Sequence, residues 1–560
     1  MKNNDHTFDA IVVGSGISGG WAAKELCEKG LKTLVLERGR DVKHGDYPTA
    51  MKDPWDMPNQ GKLTQDEIAH YPKQTRAPFV SGYNKHFVLK DTEHNYEEKT
   101  RFDWTQGNQV GGRSILWGRQ CYRMSDLDFT ANIQDGHGVD WPIRYADIAP
   151  WYDYVERFTG ISGEKLGLPY LPDGQFQRPW ELRCIESHLR DAIKDKLNRY
   201  LTIGRVANLT EAIEGRGPCQ ARNRCKRGCP FMGYFSSITA TLPAAAATGN
   251  MTLLANYLVD SIIYDDKTEK AIGVRVVNQL TLETSEYYAK VIFLNASALN
   301  STAIMLNSRS ERFPNGLGND SGQLGRNLMD HHFRAGARGD HDGYRDQYYK
   351  GRRPTGFYIP RFRNLDASTK RSDYVRGFGY QGIGKRANWN AGTGAPGIGA
   401  HFKDQLTEPG DWYIGMTGFG EILPYEDNTI TLDHSRKDKW GQPIKVMDAK
   451  CRDNEFSMRK DMKESAAEML EVAGFKNISM QDSHPVVGAA IHEMGTARMG
   501  RDPKTSVLNA YNQVHAVKNV YVTDGACMTS GGCQNPSITY MALTARAVDH
   551  AVNALKNNTL

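Results

Sequence analysis

The first forty residues carry the hydrophobic pattern of two buried strands joined by a helix. The nearly continuous apolar run Phe8–Val13 predicts a strand that is buried on both faces. A helical segment follows to about Lys29, and Gly30 ends it because glycine readily adopts the left-handed backbone that closes helices. Thr33–Glu37 is a second apolar run of strand length. Together these segments predict a parallel βαβ unit.

Apolar segments further along the chain predict more strands and helices, but no membrane span. Leu253–Val259 predicts another strand, and Tyr145–Thr159 predicts a helix. No apolar stretch approaches the roughly 20 residues that a membrane-spanning helix needs. The polar residues Met1–Thr7 do not resemble a secretory signal, so export would have to be arranged by another protein.

The composition is that of a globular protein with two or more domains. The 560 residues are 39% hydrophobic and 24% charged, which is enough for a large buried core. The net charge of +5 is small for this length and does not favour a nucleic-acid partner. Nine cysteines do not make a disulfide scaffold, and their odd number leaves at least one unpaired.

The turn between the first strand and the helix has the glycine spacing of a dinucleotide-binding site. Gly14 permits the tight turn, Gly16 lets the backbone approach a pyrophosphate, and Gly19 allows the helix to pack on the strand. The helix N-terminus favours the negative phosphates. Glu37, at the end of the second strand, can accept hydrogen bonds from ribose hydroxyls and would repel the extra phosphate of NADP. The motif does not distinguish FAD from NAD.

Four further segments are rich in glycine or polar residues. Gly107–Gly118 has glycines dense enough to bring the backbone close to a planar or charged ligand, although an irregular loop would have a similar composition. Gly325–His332 is a polar turn. His492–Gly500 and Asn535–Leu543 lie near the end of the chain.

Taken in this order, the motifs resemble the glucose–methanol–choline (GMC) family of flavin oxidoreductases. The resemblance runs over 8–550 and is weakest in 335–480. It implies an α/β fold in which a discontinuous Rossmann-like domain binds FAD and a second domain with an antiparallel sheet covers the isoalloxazine. We therefore expect 1–330 to be mainly the FAD-binding domain, 331–480 mainly the substrate domain, and 481–560 a return to the FAD-binding domain.

The resemblance also implies which residues contact FAD. Val259 is expected at the adenine side, and Asp524 at the ribityl chain or the pyrophosphate. The remaining contacts expected from the resemblance are Gly14, Gly16, Ser18, Glu37, Arg38, Gly112, Ser114 and Ile538.

His492 and Asn535 match the catalytic pair of the family. Oxidation of an alcohol by a flavin requires loss of the hydroxyl proton, and a neutral imidazole with a pKa near ~6.5 suits that task. His492 lies in the family's His-x-x-Gly-Thr motif and is expected to be the base, while Asn535 is expected to hold the substrate oxygen. Asn535 also precedes Pro536, so it could cap a helix that starts there.

Cys219, Cys225 and Cys229 lie within eleven residues and end in a Cys-Pro pair. A C-x-x-x-C-P ending is typical of ferredoxin-type ligation of iron. The spacing resembles the three-iron segment of bacterial FAD-dependent glucose dehydrogenases and glucoside 3-dehydrogenases. It implies a 3Fe–4S cluster, or a four-iron cluster with one remote ligand. A structural zinc site, which usually has four ligands, and free thiols or a disulfide are the alternatives.

Five cations surround these cysteines. They could offset the negative charge of a cluster and present a docking face to an acidic redox partner, or simply form a solvated surface. Cys527 and Cys533 flank the loop before Asn535, and the sequence leaves open whether they bridge. The five cations are Arg216, Arg222, Arg224, Lys226 and Arg227.

The resemblance implies a carbohydrate dehydrogenase. A hydride would pass from a sugar hydroxyl, the 3-hydroxyl of a glucoside, to FAD, and the electrons would pass through the cluster to a cytochrome c-type acceptor. A small partner subunit carrying the export signal would place the complex in the periplasm, with a cytoplasmic location as the alternative. The rival functions are an oxygen-using GMC oxidase, a gluconate or polyol dehydrogenase, and a non-enzymatic flavin-binding redox sensor.

Overall fold

The computed structural model describes residues 6–77, 79–348, 354–386, 398–407 and 409–560. Its strands are β1 Thr7–Val13, β2 Thr33–Glu37, β3 Glu97–Glu98, β4 Ile161–Ser162, β5 Phe176–Gln177, β6 Thr202–Ile203, β7 Met251–Ala255, β8 Tyr257–Asp265, β9 Lys270–Asn278, β10 Thr284–Leu294, β11 His331–His332, β12 Ala335–His341, β13 Phe357–Ile359, β14 Phe378–Arg386, β15 Trp412–Glu421, β16 Thr429–Lys437, β17 Pro443–Asp448, β18 Lys476–Asp482, β19 Gln513–Val514 and β20 Val517–Val522. Its helices are α1 Ile17–Glu28, α2 Gln65–His70, α3 Asp126–Phe129, α4 Ala131–Asp135, α5 Tyr145–Thr159, α6 Cys184–Leu197, α7 Thr241–Ala247, α8 Ala298–Asn307, α9 Gly399–Thr407, α10 Asp453–Val472 and α11 Ser537–Lys556.

The larger sheet is a Rossmann-like core of parallel strands. Its main order is β19-β20-β10-β1-β2-β7, with β1 parallel to both β10 and β2. The β8–β9 hairpin and β19 are antiparallel additions at its margins. All five residues of β2 and the last four of β1 are buried, as expected for parallel strands covered on both faces.

The predicted βαβ unit is confirmed almost residue by residue. β2 has the predicted bounds, and α1 ends one residue before Lys29, with Gly30 at a φ of +86°. Two of the turn glycines are required by close packing. A Cβ on Gly14 would lie 2.4 Å from the carbonyl oxygen of Asn295, and one on Gly19 would lie 2.0 Å from that of Gly14. The helix predicted at Tyr145–Thr159 is α5, with the same bounds.

The prediction of one strand through Leu253–Val259 is wrong. β7 ends at Ala255 on the edge of the parallel sheet, and β8 then begins at Tyr257 and pairs antiparallel with β9. Asn256 separates the two strands with a φ of +65°, a backbone conformation that asparagine tolerates better than most residues. This asparagine was the turn signal within the apolar run.

The second sheet is antiparallel, as expected from the resemblance, and the α/β architecture is confirmed. Its order is β18-β12-β15-β14-β13-β6, and apart from β6 its strands lie between residues 331 and 482. Along β15 the buried side chains Trp412, Ile414 and Met416 alternate with half-buried positions. They pack in one apolar cluster with Met458 and Met462 of α10, which covers this face.

A small third sheet, β16-β17-β3, lies near the carboxyl end of β2 in the parallel sheet. It includes β16 and β17, which the sequence assigned to the substrate-domain segment. Its residues Leu432 and Lys445 line the same cavity as Glu37. None of the helices among the described residues has the length and apolar character needed to cross a bilayer.

Candidate active site

A cavity of about 540 Å³ lies between the two main sheets. Its volume is within the range of small-molecule and cofactor sites. One wall follows the carboxyl ends of the parallel strands, where Gly14, Glu37, Asn295 and Asp524 lie. Ligands of open α/β sheets bind at this edge. The opposite wall comes from β14 and β15 of the antiparallel sheet.

The glycine turn is shaped to receive phosphate. Gly14, Gly16 and Ser18 line the cavity, and a Cβ on Gly16 would meet nothing within 4 Å. Gly16 caps α1 without a side-chain hydrogen bond, so the first N–H groups of this helix are available to an anion. Gly112 approaches the same turn, since a Cβ on it would lie 3.4 Å from the Cα of Gly16. These features fit the pyrophosphate of FAD.

Glu37 is buried and already has three donors. Its Oε2 accepts from the backbone N–H and the hydroxyl of Ser15, at 3.1 and 2.6 Å. Its Oε1 accepts from the N–H of Gly39 at 2.8 Å. An ionised carboxylate has about four acceptor positions, so one remains for a ribose hydroxyl. Glu37 therefore supports the turn itself as well as lining the cavity.

Two other predicted FAD contacts line the cavity while bonding to the protein. Ser114 donates its hydroxyl to the carbonyl of Gly111 at 2.5 Å and accepts from the N–H of Ser237 at 3.0 Å. Asp524 accepts from the hydroxyl of Ser301 at 2.5 Å, and burial raises the pKa of Asp524 to about 6. Both side chains are held in place before any ligand binds.

The remaining predicted contacts divide into two groups. Arg38 and Val259 line the cavity near Glu37, and burial lowers the pKa of Arg38, whose guanidinium contacts the ring of His94. Ile538 does not line the cavity. It is fully buried in the apolar core, and Ser537 of the same helix faces the cavity instead.

The predicted catalytic residues face each other across the cavity wall. The Nδ2 of Asn535 lies 3.4 Å from the Nε2 of His492, and Gln381 of β14 donates to the Oδ1 of Asn535 at 2.6 Å. The capping alternative for Asn535 is not realised, because Pro536 is the N-cap of α11 and no side chain caps that helix. The three side chains form one polar group.

The surroundings of His492 keep its imidazole neutral. Burial, His331 and Arg113 together hold the pKa of His492 well below its usual range. A neutral imidazole at neutral pH is the form required of a base. Arg113 lines the cavity and forms a bidentate ion pair with Glu493, at 3.1 and 2.8 Å.

Behind His492 lies a buried hydrogen-bond network. The Nδ1 of His331 lies 3.0 Å from the Nδ1 of His492, and its Nε2 lies 2.9 Å from the carbonyl oxygen of Gly532. Burial and the charge of Glu493 raise the pKa of Asp330 to about 7. The ligand atoms of Asp330, His331 and His492 lie within 4.8 Å of one another. The carboxylate oxygens of Asp330 already accept the backbone N–H groups of His331, Gly488, Ala490 and His492.

Sequence reasoning missed several residues of this network. His331 and Asp330 lie in the polar turn Gly325–His332. An aspartate followed by two histidines was a usable signal in the sequence, and the structure buries all three side chains. Gln381 gave no signal, because a polar residue in a strand is usually on a solvated face. Arg113 was hidden within the glycine-rich segment.

An aromatic pair lines the cavity on the side of the antiparallel sheet. The rings of Phe333 and Phe419 are stacked with centroids 5.3 Å apart and an interplanar angle of 19°. The guanidinium of Arg334 lies over the ring of Phe333 at 4.9 Å. This wall combines an apolar platform with the polar groups of Gln381 and Asn535.

The three clustered cysteines lie in a loop, residues 218–230, that we call the cysteine loop. Their thiols are half-buried and free, and Cys225 begins a short 3₁₀ turn. Asn208 donates to the Sγ of Cys219 at 3.6 Å, and burial raises the pKa of Cys219. All nine cysteines are free, so Cys527 and Cys533 do not bridge.

The cations in and next to the cysteine loop mostly bond to neighbouring segments of the protein. Arg222 donates to the carbonyl of Ala50, and Arg224 pairs with Asp53. Arg227 donates to the carbonyl of Lys52 at 2.8 Å, and Arg216 is buried against the carbonyl of Thr159 at 3.1 Å. Lys226 differs from them because it lines the cavity, with its Nζ over the ring of Phe79 at 5.0 Å.

Two family models match the chain, both described as GMC oxidoreductase, over residues 8–333 and 424–544. The chain belongs to the GMC oxidoreductase family. It is therefore an FAD-dependent oxidoreductase that acts on CH–OH groups.

Three curated relatives extend this result over nearly its full length. They are 2-methyl-1,2-propanediol dehydrogenase of Mycolicibacterium austroafricanum, 29% identical over 98% of this chain and 96% of the relative; fructose dehydrogenase large subunit of Gluconobacter japonicus, 24% identical over 99% and 100%; and paromamine 6'-oxidase of Streptomyces fradiae, 25% identical over 98% and 91%.

Solved structures of the GMC type share the fold. Formate oxidase of Aspergillus oryzae superposes with a TM-score of 0.62 at 14% identity, covering 100% of both chains. Pyridoxine 4-oxidase of Mesorbium loti gives 0.59 at 16% identity, covering 97% of this chain and 98% of the other. At these identities the likeness bears on the fold alone.

Proposed function

We propose that this GMC oxidoreductase is a carbohydrate dehydrogenase. In this proposal it oxidises a sugar hydroxyl, the 3-hydroxyl of a glucoside, to a ketone. Electrons then leave through an iron–sulfur cluster, of the 3Fe–4S type, to a cytochrome c-type acceptor. The observation that carries the proposal is that the cysteine loop and His492 border one cavity, through Lys226 on one side and the imidazole on the other.

The chain's own residues can perform the proton chemistry. Bound FAD would accept the hydride of the substrate carbon, which is chemistry that the cofactor supplies. His492 is held neutral and can take the hydroxyl proton, and the amide of Asn535 can hold the substrate oxygen beside it. Gln381 orients that amide. These roles need no other acid or base.

The aromatic wall favours a sugar over a fully apolar alcohol. A pyranose ring has one flat face of C–H groups, which packs well against an aromatic ring, and a rim of hydroxyls. Phe333 and Phe419 offer the flat surface, and Arg334 and Gln381 lie beside it to bond hydroxyls. A few placed polar groups in an apolar site fix the orientation of a ligand.

The donors of the cysteine loop fit an iron–sulfur cluster better than a single ion. Thiolates are soft ligands that suit such clusters. The cysteines are not part of the one group of described side chains whose ligand atoms converge within 4.8 Å, as a zinc site would require. A cluster distributes its thiolates over several irons. Arg119 of the cavity wall donates to Asn208 at 3.0 Å, and Asn208 in turn contacts Cys219.

The relatives' names support partners for this chain. The Gluconobacter relative is named a large subunit, and it aligns with this chain over 100% of its length. We include in the proposal a small partner subunit that carries the export signal, so that the complex works in the periplasm. The cytochrome c-type acceptor would receive electrons at the cysteine loop.

The proposal is tested by anaerobic flavin bleaching with a panel of alcohols. The panel contains methyl glucosides, glucose, fructose, gluconate, inositol and 2-methyl-1,2-propanediol, and the product is analysed by NMR. We expect a glucoside to bleach the flavin fastest and to yield a 3-ketone. Fastest bleaching by an acyclic diol, with no bleaching by any sugar, would contradict the substrate class.

An oxygen-using oxidase is the second candidate. The name of the Streptomyces relative, paromamine 6'-oxidase, favours it. Turnover in air with stoichiometric hydrogen peroxide, at a rate equal to that with cytochrome c, would favour this candidate over the dehydrogenase.

A further inference from the structure

The Gly532 carbonyl decides which nitrogen of His331 carries a proton. A carbonyl oxygen can only accept a hydrogen bond, and it lies 2.9 Å from the Nε2 of His331. That nitrogen must therefore be protonated. Burial lowers the pKa of His331 to about 4, so the ring is neutral at neutral pH and its Nδ1 has a free lone pair.

The second ring follows from the first. The Nδ1 atoms of His331 and His492 are 3.0 Å apart, and His331 can only accept at that position. His492 must donate there, so its own Nδ1 carries the proton. A neutral imidazole has one N–H, which leaves the Nε2 of His492 with a lone pair. This is the nitrogen that lies 3.4 Å from Asn535 at the cavity wall.

We propose that His331 is a positioning residue that fixes His492 in the Nδ1–H tautomer and so keeps its Nε2 ready to accept a proton from the substrate hydroxyl. The inference rests on the proposed function, in which His492 is the base. In the reaction the hydroxyl proton goes to this Nε2 and the alcohol becomes a carbonyl compound, while bound FAD would take the hydride of the same carbon. His492 becomes an imidazolium, and its Nδ1–H bond to His331 is retained throughout.

The backbone around His331 is fixed strongly enough to set a tautomer. Glu421 accepts the N–H groups of Gly531 and Gly532 at 2.6 and 2.7 Å, which holds the deciding carbonyl in place. Glu421 is itself paired with Arg376 at 2.7 Å, and both side chains are buried. Asp330 accepts the N–H of His331 at 2.8 Å. The fixed Gly532 carbonyl therefore sets the tautomer of His331, and His331 sets that of His492.

Two variants of His331 test the acceptor directly. His331→Phe keeps a ring of similar size but removes the acceptor. His331→Asn places an amide oxygen at the position of the Nδ1. His332→Phe is the matched control, because His332 is also fully buried and neither of its ring nitrogens has a hydrogen-bond partner among the described residues. FAD content, substrate Kd and the rate constant of flavin reduction are measured anaerobically with methyl glucoside, or with the alcohol that bleaches the wild type.

We expect His331→Phe to slow flavin reduction by about 30-fold or more, with FAD content unchanged and substrate Kd altered by less than about 3-fold. His331→Asn should stay within about 5-fold of the wild type, and His332→Phe within about 2-fold. Equal rates for the Phe and Asn variants at position 331, or an equal loss in His332→Phe, would overturn the proposal. A tightly bound divalent ion in the wild type, with loss of activity on its removal, would also overturn it.

A spectroscopic measurement separates this inference from the proposed function. In enzyme containing ¹⁵N-histidine, with the His492 signals assigned from His492→Gln, we expect a protonated Nδ1 and an unprotonated Nε2. The pattern does not depend on turnover, so it holds even if no alcohol in the panel is a substrate. A protonated Nε2 on His492 in the wild type would overturn the tautomer assignment while leaving the alcohol oxidation itself intact.

Discussion

His492 and the cysteine loop border the same cavity, but they are held in opposite ways. Each ring nitrogen of His331 and His492 contacts a protein group. The backbone N–H of each of these two residues also donates to Asp330, which holds their main chain in place. In the cysteine loop the polar contacts are made by arginines, which reach residues 50–53, while the half-buried thiols stay free of disulfides.

This difference separates a proton-transfer network built from the polypeptide's own groups from a loop that offers ligand atoms to an added group. The ring nitrogens of His331 and His492 all have protein partners. The cysteine loop is anchored to residues 50–53 by its arginines and its half-buried thiols form no disulfide, which is the arrangement expected of a ligand set. Changes to the first region should affect proton transfer, and changes to the second should affect electron exit.

The largest effect is expected for His492→Ala. Removal of the base should slow anaerobic flavin reduction by ~100-fold or more, because general-base catalysis contributes on this scale. The enzyme should keep its FAD, since His492 is not among the groups that shape the phosphate turn. Near wild-type reduction in this variant would show that another group takes the proton.

Replacement of Cys219, Cys225 or Cys229 by Ser should affect electron exit alone. A serine oxygen is a poor substitute for a soft thiolate, so iron should be lost and turnover with cytochrome c should fall by about tenfold or more. Flavin reduction without an acceptor should stay within about twofold of the wild type, and a small diffusible dye should partly restore turnover.

Cys184→Ser is the matched control, because Cys184 is also a half-buried free cysteine and lies in α6, outside the cysteine loop. It should keep its iron and its rates. A parallel loss of cytochrome and dye turnover in the cysteine-loop variants, with flavin reduction intact, would contradict the proposal that electrons leave the flavin through the cysteine loop.

Glu37→Ala should have a moderate effect on cofactor retention. The change removes a ribose acceptor and also the support of Ser15 and Gly39, so FAD affinity should fall by several-fold, up to about tenfold. Turnover per bound FAD should change little, because the partners of Glu37, Ser15 and Gly39, are not among the groups that contact the ring of His492. Glu37→Gln keeps one acceptor oxygen, so its FAD affinity should lie between those of the wild type and Glu37→Ala. Full FAD content with collapsed turnover would assign Glu37 a different role.

The smallest effect is expected on the pH profile of flavin reduction. The pKa of His492 is held well below its usual value of about 6.5, so the base stays unprotonated down to that pH and loses its function only below it. Asp330 in the same network has a pKa of about 7, so the profile is measured in Asp330→Asn, where the rate constant divided by substrate Kd should be flat between pH 8 and about 6.5. An inflection within that range in this variant would mean that His492 titrates as an ordinary exposed histidine.

The sequence predicted the parts of this molecule that local patterns encode. The βαβ unit, the glycine turn and the helix Tyr145–Thr159 follow from burial periodicity and from glycine chemistry. The break at Asn256 was missed because an apolar run outweighed one turn residue. Ile538 was predicted to contact FAD from the family resemblance. It packs in the core while Ser537 lines the cavity, because neighbouring positions of a helix face different ways.

The supporting residues of the site could not be predicted because they are brought together by tertiary structure. Gln381 lies 154 residues from Asn535 in the chain, and His331 lies 161 residues from His492. A hydrogen bond over such a separation leaves no periodic trace in the sequence. His492 and Asn535 were predicted because each lies in a recognisable motif, and the structure places their side chains 3.4 Å apart.

The most direct test of the account is the metal content of the purified wild-type protein. Iron, zinc and acid-labile sulfide are measured per FAD on enzyme prepared without oxygen, with an electron paramagnetic resonance spectrum of the oxidised sample. The account predicts about three irons with a matching amount of sulfide and a three-iron signal that is absent in Cys225→Ser. Zinc without iron in the wild type, or iron that persists unchanged in Cys225→Ser, would contradict it.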